Sequence, residues 1–125
     1  MNNEQAREFV KNLYQQVWHP MNIDKIDDFY HKDVIAHLGD ETANYEDINN
    51  RIKYCKDNYK NIYGQHQEVY AEGNMIAFRL LQGGVEKETG AEHKYDTIAM
   101  YRLRDNKVAE VYAVFDEQFD FFVKA

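Results

Sequence analysis

The residues best placed for chemistry lie in the run Lys107–Asp116, where Glu110 and Asp116 alternate with apolar side chains. A period of two puts Val108, Glu110, Tyr112, Val114 and Asp116 on one side of an extended ribbon. Ala109, Val111, Ala113 and Phe115 fall on the other. A carboxylate among apolar neighbours must find partners, shift its pKa or meet solvent in a cavity. This reading places Asp116 in a pocket, as a base that removes a proton next to a carbonyl without a cofactor. The alternative is a strand-end aspartate that caps a turn and meets water. His37 is the second candidate, either a proton partner in the same cavity or a strand histidine bonded to backbone. Tyr14, Trp18, Tyr54, Tyr95 and Tyr112 are candidate ligand contacts, because amphipathic aromatics line such pockets; core packing is their other use.

Other chemistries find no support. His19, His31, His37, His66 and His93 form no i, i+4 pair and stand near no cysteine cluster, so no metal site is expected. Gly83-Gly84 lacks the lysine and helix of a phosphate loop, and no cofactor is implied. Cys55 is the one cysteine, which rules out an internal disulfide, and its place on an apolar helical stripe suits a buried thiol.

These side chains need elements to hold them. Ala6, Phe9, Val10, Leu13, Tyr14, Val17 and Trp18 recur at helical spacing, so a helix is predicted from about Asn3 to Trp18, with Asn2 and Gln5 as a capping box and His19-Pro20 as its stop. A short helix follows from Asn22, then a strand over Asp33–Leu38. A third helix is expected from about Tyr45 to Tyr63, capped by Asn44 and ended by Gly64. From Gly64 the period is two. Two strands flank Gly73-Asn74, with Glu68 facing Arg79 and Val69 facing Phe78. Gly83–Glu92 reads as a polar connection. His93–Leu103 turns through Asp105-Asn106 into the last strand, with Tyr101 opposite Glu110 and Tyr95 opposite Asp116. Helices gather in the first half and strands in the second, an α+β pattern of three helices on a strongly bent, mainly antiparallel sheet.

The 125 residues suit one domain, 1–125, and the 44% hydrophobic content supports a core. A net charge of −7 argues against nucleic acid. The N-terminus has no basic region and no apolar run, so the expectation is no signal peptide, no membrane span and a cytoplasmic location. The sheet side with Val111, Ala113, Ile98 and Met100 has no helix to cover it, and a second copy of the chain is the expected cover.

Phe9-Val10, Leu13-Tyr14, Trp18, Ile23-Asp24, Ile26–Tyr30 and Asp33–His37, with Tyr101–Tyr112 and Asp116, resemble the SnoaL-like group of the NTF2-like superfamily. The resemblance implies a cone-shaped α+β barrel, often dimeric, with a pocket between helices and sheet. It also implies a range of roles: cofactor-free polyketide cyclases, isomerases, dehydratases, epoxide hydrolases and plain binding modules. The positions of the isomerase base, buried acid and oxyanion tyrosine hold Leu38, Ala99 and Phe9, and no Arg-x-Asp pair lies on Met75–Gln82. Asp116 matches the single acid of the cyclases, with Tyr112 in place of their tryptophan. Two functions stay open: a cofactor-independent cyclase- or isomerase-type enzyme acting on a small apolar carbonyl compound, and a non-catalytic dimeric module for ligand binding or assembly.

Overall fold

The computed structural model describes residues 1–116; residues 117–125 of the expected single domain lie outside this description. Helix α1 spans Asn3–Leu13, with the capping box in place: Gln5 N–H donates to Asn2 Oδ1 and Asn2 N–H to Gln5 Oε1. It buries Ala6, Val10 and Leu13. The last turn, Tyr14–Trp18, is a π-helix, and His19 N–H reaches the Tyr14 carbonyl at 2.8 Å. Such a wide turn changes which side chains face inward, and here it brings Tyr14 and Trp18 toward the sheet. A 3₁₀ turn capped by Asn22 leads into the short α2, Ile26–Phe29.

Strand β1, Tyr30–Leu38, starts earlier than expected, and a strand not foreseen, β2 at Glu41–Asn44, folds back on it. Helix α3 runs Tyr45–Asn58 and stops five residues short of the expected end. The cause is a long-range cap. Lys87 N–H donates to the Asn58 carbonyl at 2.9 Å, and Lys87 Nζ to the Lys56 carbonyl at 3.0 Å. These bonds satisfy carbonyls that a helix end leaves open, with a cation where the dipole favours one. Gly64 is therefore no helix stop. It lies inside β3, Tyr59–Glu72, where a Cβ would come within 3.0 Å of the His19 ring.

Strand β4 spans Met75–Glu86, β5 Glu92–Arg104 and β6 Lys107–Phe115. The β3–β4 hairpin has the expected register, with Glu68 opposite Arg79 and Val69 opposite Phe78. The connection expected over Gly83–Glu92 shrinks to a turn, because Gly83 and Gly84 pair with Lys94 and His93. The sheet order is β2-β1-β6-β5-β4-β3, antiparallel except for β1 beside β6. It bends around the helices but is open, with β2 and β3 as edges, rather than closed into a barrel.

One bulge decides which face each β6 residue takes. Arg102 pairs with Glu110, but Leu103 pairs with Val108, so Ala109 is an extra residue. A bulge of this kind shifts the pleat by one. The inward residues become Val108, Val111 and Ala113, all buried, with Phe115 beyond them. The expectations that Val111 and Ala113 lie on the outer face, and that Tyr101 faces Glu110, are thereby reversed; Tyr101 pairs with Val111. The outer face instead carries Ile98 and Val114, 58% and 57% exposed, with Met100 and Ile35.

Candidate functional site

Two small cavities lie between the helices and the inner sheet face, about 80 and about 70 Å³, and share Tyr14, Trp18, Arg51 and Gln82 as walls. The first is closed by Tyr30 and Tyr101 together with Ala36, Ala99, Val111 and Phe115. The second continues past Cys55 and Tyr59 to Gly83, His93 and Tyr95. Each has room for several waters, at roughly 10–15 Å³ per water by this measure.

The first cavity is floored by a chain of phenols. The Trp18 indole N–H donates to the Tyr30 hydroxyl at 2.9 Å, and the Tyr101 hydroxyl lies beside those of Tyr30 and Tyr14, within interaction range of both. Burial pushes the Tyr30 hydroxyl up to about 12 and those of Tyr14 and Tyr101 higher still. All three stay protonated at neutral pH and can donate. Three hydroxyl protons serve two hydroxyl–hydroxyl contacts, and the indole is a donor only. Whichever way the chain points, one phenolic proton is left for an acceptor outside it.

The second cavity has a different character. His93 Nε2 meets Glu86 Oε2 at 2.9 Å, and the Thr89 hydroxyl donates to the same carboxylate oxygen at 3.2 Å. The hydrogen bond from His93 is the main cause that holds the Glu86 carboxyl below its usual range. The His93 ring lies edge-on to Tyr59 and is stacked near Tyr95, centroids 5.8 and 6.3 Å away. Arg51, only 8% exposed, projects from the buried stripe of α3 beside Cys55, and its guanidinium lies over the Tyr54 ring at 5.9 Å. Burial raises the Cys55 thiol, which the Arg51 charge opposes.

The candidate residues separate. Tyr14, Trp18 and Tyr95 are cavity walls, and Tyr54 supports Arg51 from behind. Asp116, His37 and Tyr112 lie across the sheet. Asp116 is exposed at the end of β6, where its carboxylate accepts the Asp96 backbone N–H at 2.9 Å. His37 stacks on Tyr112 at 4.6 Å and its Nε2 meets Glu110 at 2.9 Å; Glu110 also accepts from Arg102 at 3.2 Å. The cause is the Ala109 bulge, which turns Glu110, Tyr112, Val114 and Asp116 away from the helices. Among the described residues no Asp or Glu walls either cavity, and no group of three metal-ligating side chains occurs.

Arg51, Glu86, His93, Tyr30 and Tyr101 also wall or support these cavities, none of them among the residues expected to form a site. For Arg51 a signal exists: it stands at helical spacing between Ile48 and Cys55, on a stripe otherwise apolar. Glu86 and His93 meet only because the turn between them folds back, with Glu86 N–H donating to the Ala91 carbonyl at 2.9 Å.

The SnoaL-like domain family matches residues 10–111. The chain belongs to that SnoaL-like family. No protein of curated function matches the sequence. Among solved structures, IdmH from Streptomyces antibioticus, described as a proposed polyketide cyclase, is 17% identical with a TM-score of 0.75, over 90% of this chain and 92% of that one. AclR from Streptomyces galilaeus, described as a proposed hydroxylase, is 14% identical with a TM-score of 0.80, over 93% and 78%. At such identities the likeness establishes the NTF2-like α+β fold of this SnoaL-like chain, and the two descriptions name different chemistries on it. No described helix is long and apolar enough to cross a membrane.

Proposed function

We propose that this SnoaL-like protein binds a small, largely apolar carbonyl compound between its helices and sheet and acts on it without a cofactor, as a cyclase- or isomerase-type enzyme. The carrying observation is the spare phenolic proton of the Tyr14–Tyr101–Tyr30 chain in an apolar cavity. A carbonyl oxygen is the natural acceptor for it. When a proton leaves the neighbouring carbon, that oxygen gains charge, and a donor fixed in a dry site stabilises it by about 3 kcal/mol. Tyr14, Trp18 and Tyr95 are the ligand contacts on this reading. The family's acid position, Asp116, and its partner His37 belong to the outer face, where a second copy of the chain would meet them. A single buried free thiol, Cys55, suits a reducing cytoplasm.

A second reading is a non-catalytic dimeric binding or assembly module. Cavities of about 70–80 Å³ favour it, since most ligand sites measure roughly 300–1,000 Å³. One experiment separates the two. Trp18 is the only tryptophan and walls both cavities, so its fluorescence reports occupancy by the aromatic ketone α-tetralone. Proton magnetic resonance in deuterium oxide reports exchange beside the carbonyl. The enzyme reading expects binding with exchange, and loss of exchange in Tyr101→Phe. Binding without exchange selects the module.

A further inference from the structure

The tyrosine chain supplies a donor for a developing oxyanion but nothing to take the proton, and no described carboxylate reaches the cavity. We infer that His93, held by Glu86, is the proton acceptor of this site. The inference rests on the enzyme reading above and assigns its missing group.

The geometry fixes the roles of the two ring nitrogens. An ionised carboxylate only accepts, so the 2.9 Å contact to Glu86 Oε2 requires the proton on His93 Nε2. In the neutral ring Nδ1 then carries the lone pair, the state a base needs. The dyad is held firmly. Glu86 is tied by the Thr89 hydroxyl and by the backbone bonds of the 86–91 turn, and that turn is docked on the end of α3 through Lys87. Packing adds to this, because the Gly83 backbone lies directly against the His93 carbonyl. His93 shares its cavity with Tyr14, which also belongs to the phenol chain, and with Arg51. A ligand whose oxygen meets Tyr14 thus extends toward the imidazole.

The step balances within the ligand and protein. The C–H bond beside the carbonyl breaks and its proton moves to His93. The bonding pair becomes the enolate, with its charge on the oxygen held by the phenol. Return of the proton to another carbon, or attack of the enolate on a second carbonyl followed by protonation of the new alkoxide, restores neutral imidazole. Glu86 does not touch the ligand. It is a positioning residue that orients His93.

The titratable and charged groups around His93 are Glu86 from β4, Tyr59 and Tyr63 from β3, Tyr95 from β5, Tyr14 and His19 from the first helical segment, and Arg51 and Cys55 from α3, all in contact with its ring or lining the same cavity. Among the described residues only Glu86 is a carboxylate in contact with the ring, so Glu86→Ala should lower exchange while probe binding stays, and Glu86→Gln, whose amide oxygen still accepts from Nε2, should restore part of it. The test uses the α-tetralone exchange and the Trp18 fluorescence of the full chain. His93→Gln should bind the probe as wild type does and lose exchange by roughly 10²-fold or more. Added imidazole should restore part of the exchange in His93→Ala. Should the His93 variants not fold, the two Glu86 variants decide alone, and wild-type exchange in Glu86→Ala overturns the assignment. Wild-type exchange in His93→Gln overturns the assignment and leaves the enzyme reading standing. Absence of exchange in wild type overturns the enzyme reading, and this assignment with it.

Discussion

The Trp18 indole donates to the Tyr30 hydroxyl at 2.9 Å, joining the widened end of the first helix to the first residue of β1. Tyr30 is buried and Trp18 half-buried, so the indole N–H loses its protein partner when the hydroxyl is removed. Tyr30→Phe should therefore cost about 1–3 kcal/mol, mostly the penalty of an indole N–H left unpaired. Trp18→Phe loses packing as well. The double variant should be less destabilised than the two singles combined, by about 1 kcal/mol. Urea unfolding followed by circular dichroism measures all four proteins. Strict additivity would show that the bond contributes nothing.

Gly83 and Gly84 make a controlled comparison. A Cβ on Gly83 would sit 2.3 Å from the His93 carbonyl oxygen and 2.9 Å from the Tyr63 hydroxyl, while one on Gly84 would meet nothing closer than 3.4 Å. Backbone cannot yield as a side-chain tip can. Gly83→Ala should lose about 1–3 kcal/mol by overpacking and should disturb the His93–Glu86 pair. Gly84→Ala should be close to neutral. Thermal melts of the two variants decide this, and equal Tm values would refute the close approach.

His66 and His19 set the behaviour in mild acid. Burial lowers the His66 pKa from 6.5 to about 4, and the nearby His19, itself lowered by burial, adds to it. The Nε2 atom of each is buried without a partner among the described residues. A depressed histidine pKa means that the unfolded chain takes up the proton first. The stabilising effect is full above pH 6.5 and is lost as pH falls from 6.5 toward about 4. For a half-buried ring, solvent screening leaves about 1–2 kcal/mol of this. The carboxylates Glu86, Asp96 and Glu110 are also held low, chiefly by hydrogen bonds from His93, Arg79 and His37, so their losses come at lower pH. His66→Phe should flatten stability between pH 6.5 and 4 without altering the steeper fall below. A wild-type stability that stays level over that window would contradict it.

What was legible in the sequence followed local rules. The Asn2/Gln5 and Asn44 caps and the Gly73-Asn74 hairpin depend on residues a few positions apart, and they stand as expected. The end of α3 was not legible, because Lys87, far along the chain, supplies its cap. The faces of β6 were misassigned for a related reason. Nothing in Val108-Ala109-Glu110 announces a bulge, and one extra residue reverses every side chain after it. Asp116 was thus expected in the cavity and lies outside it. Tyr14 and Trp18, on a helix whose apolar stripe is unambiguous, were expected as core or as ligand contacts, and both line the cavities.

The same bulge gives the last prediction, a homodimer through the outer sheet face. That face carries Ile98, Met100, Val114 and Ile35, all at least 42% exposed. Burying exposed apolar surface of this kind gains about 25 cal/mol per Å² before association costs. Around it stand polar groups already paired within the chain: His37 and Arg102 on Glu110, and Arg79 on Asp96. They can enter an interface without leaving an isolated charge. Sedimentation at micromolar concentration should give a species of twice 14.9 kDa. Ile98→Glu should give a folded monomer, because the side chain is exposed in the free subunit. Val111→Glu should instead unfold the chain, since Val111 is 8% exposed and faces the core. Without the bulge the pattern would differ, with Val111→Glu folded and monomeric. Sedimentation and circular dichroism on these two variants therefore test both the interface and the register of β6.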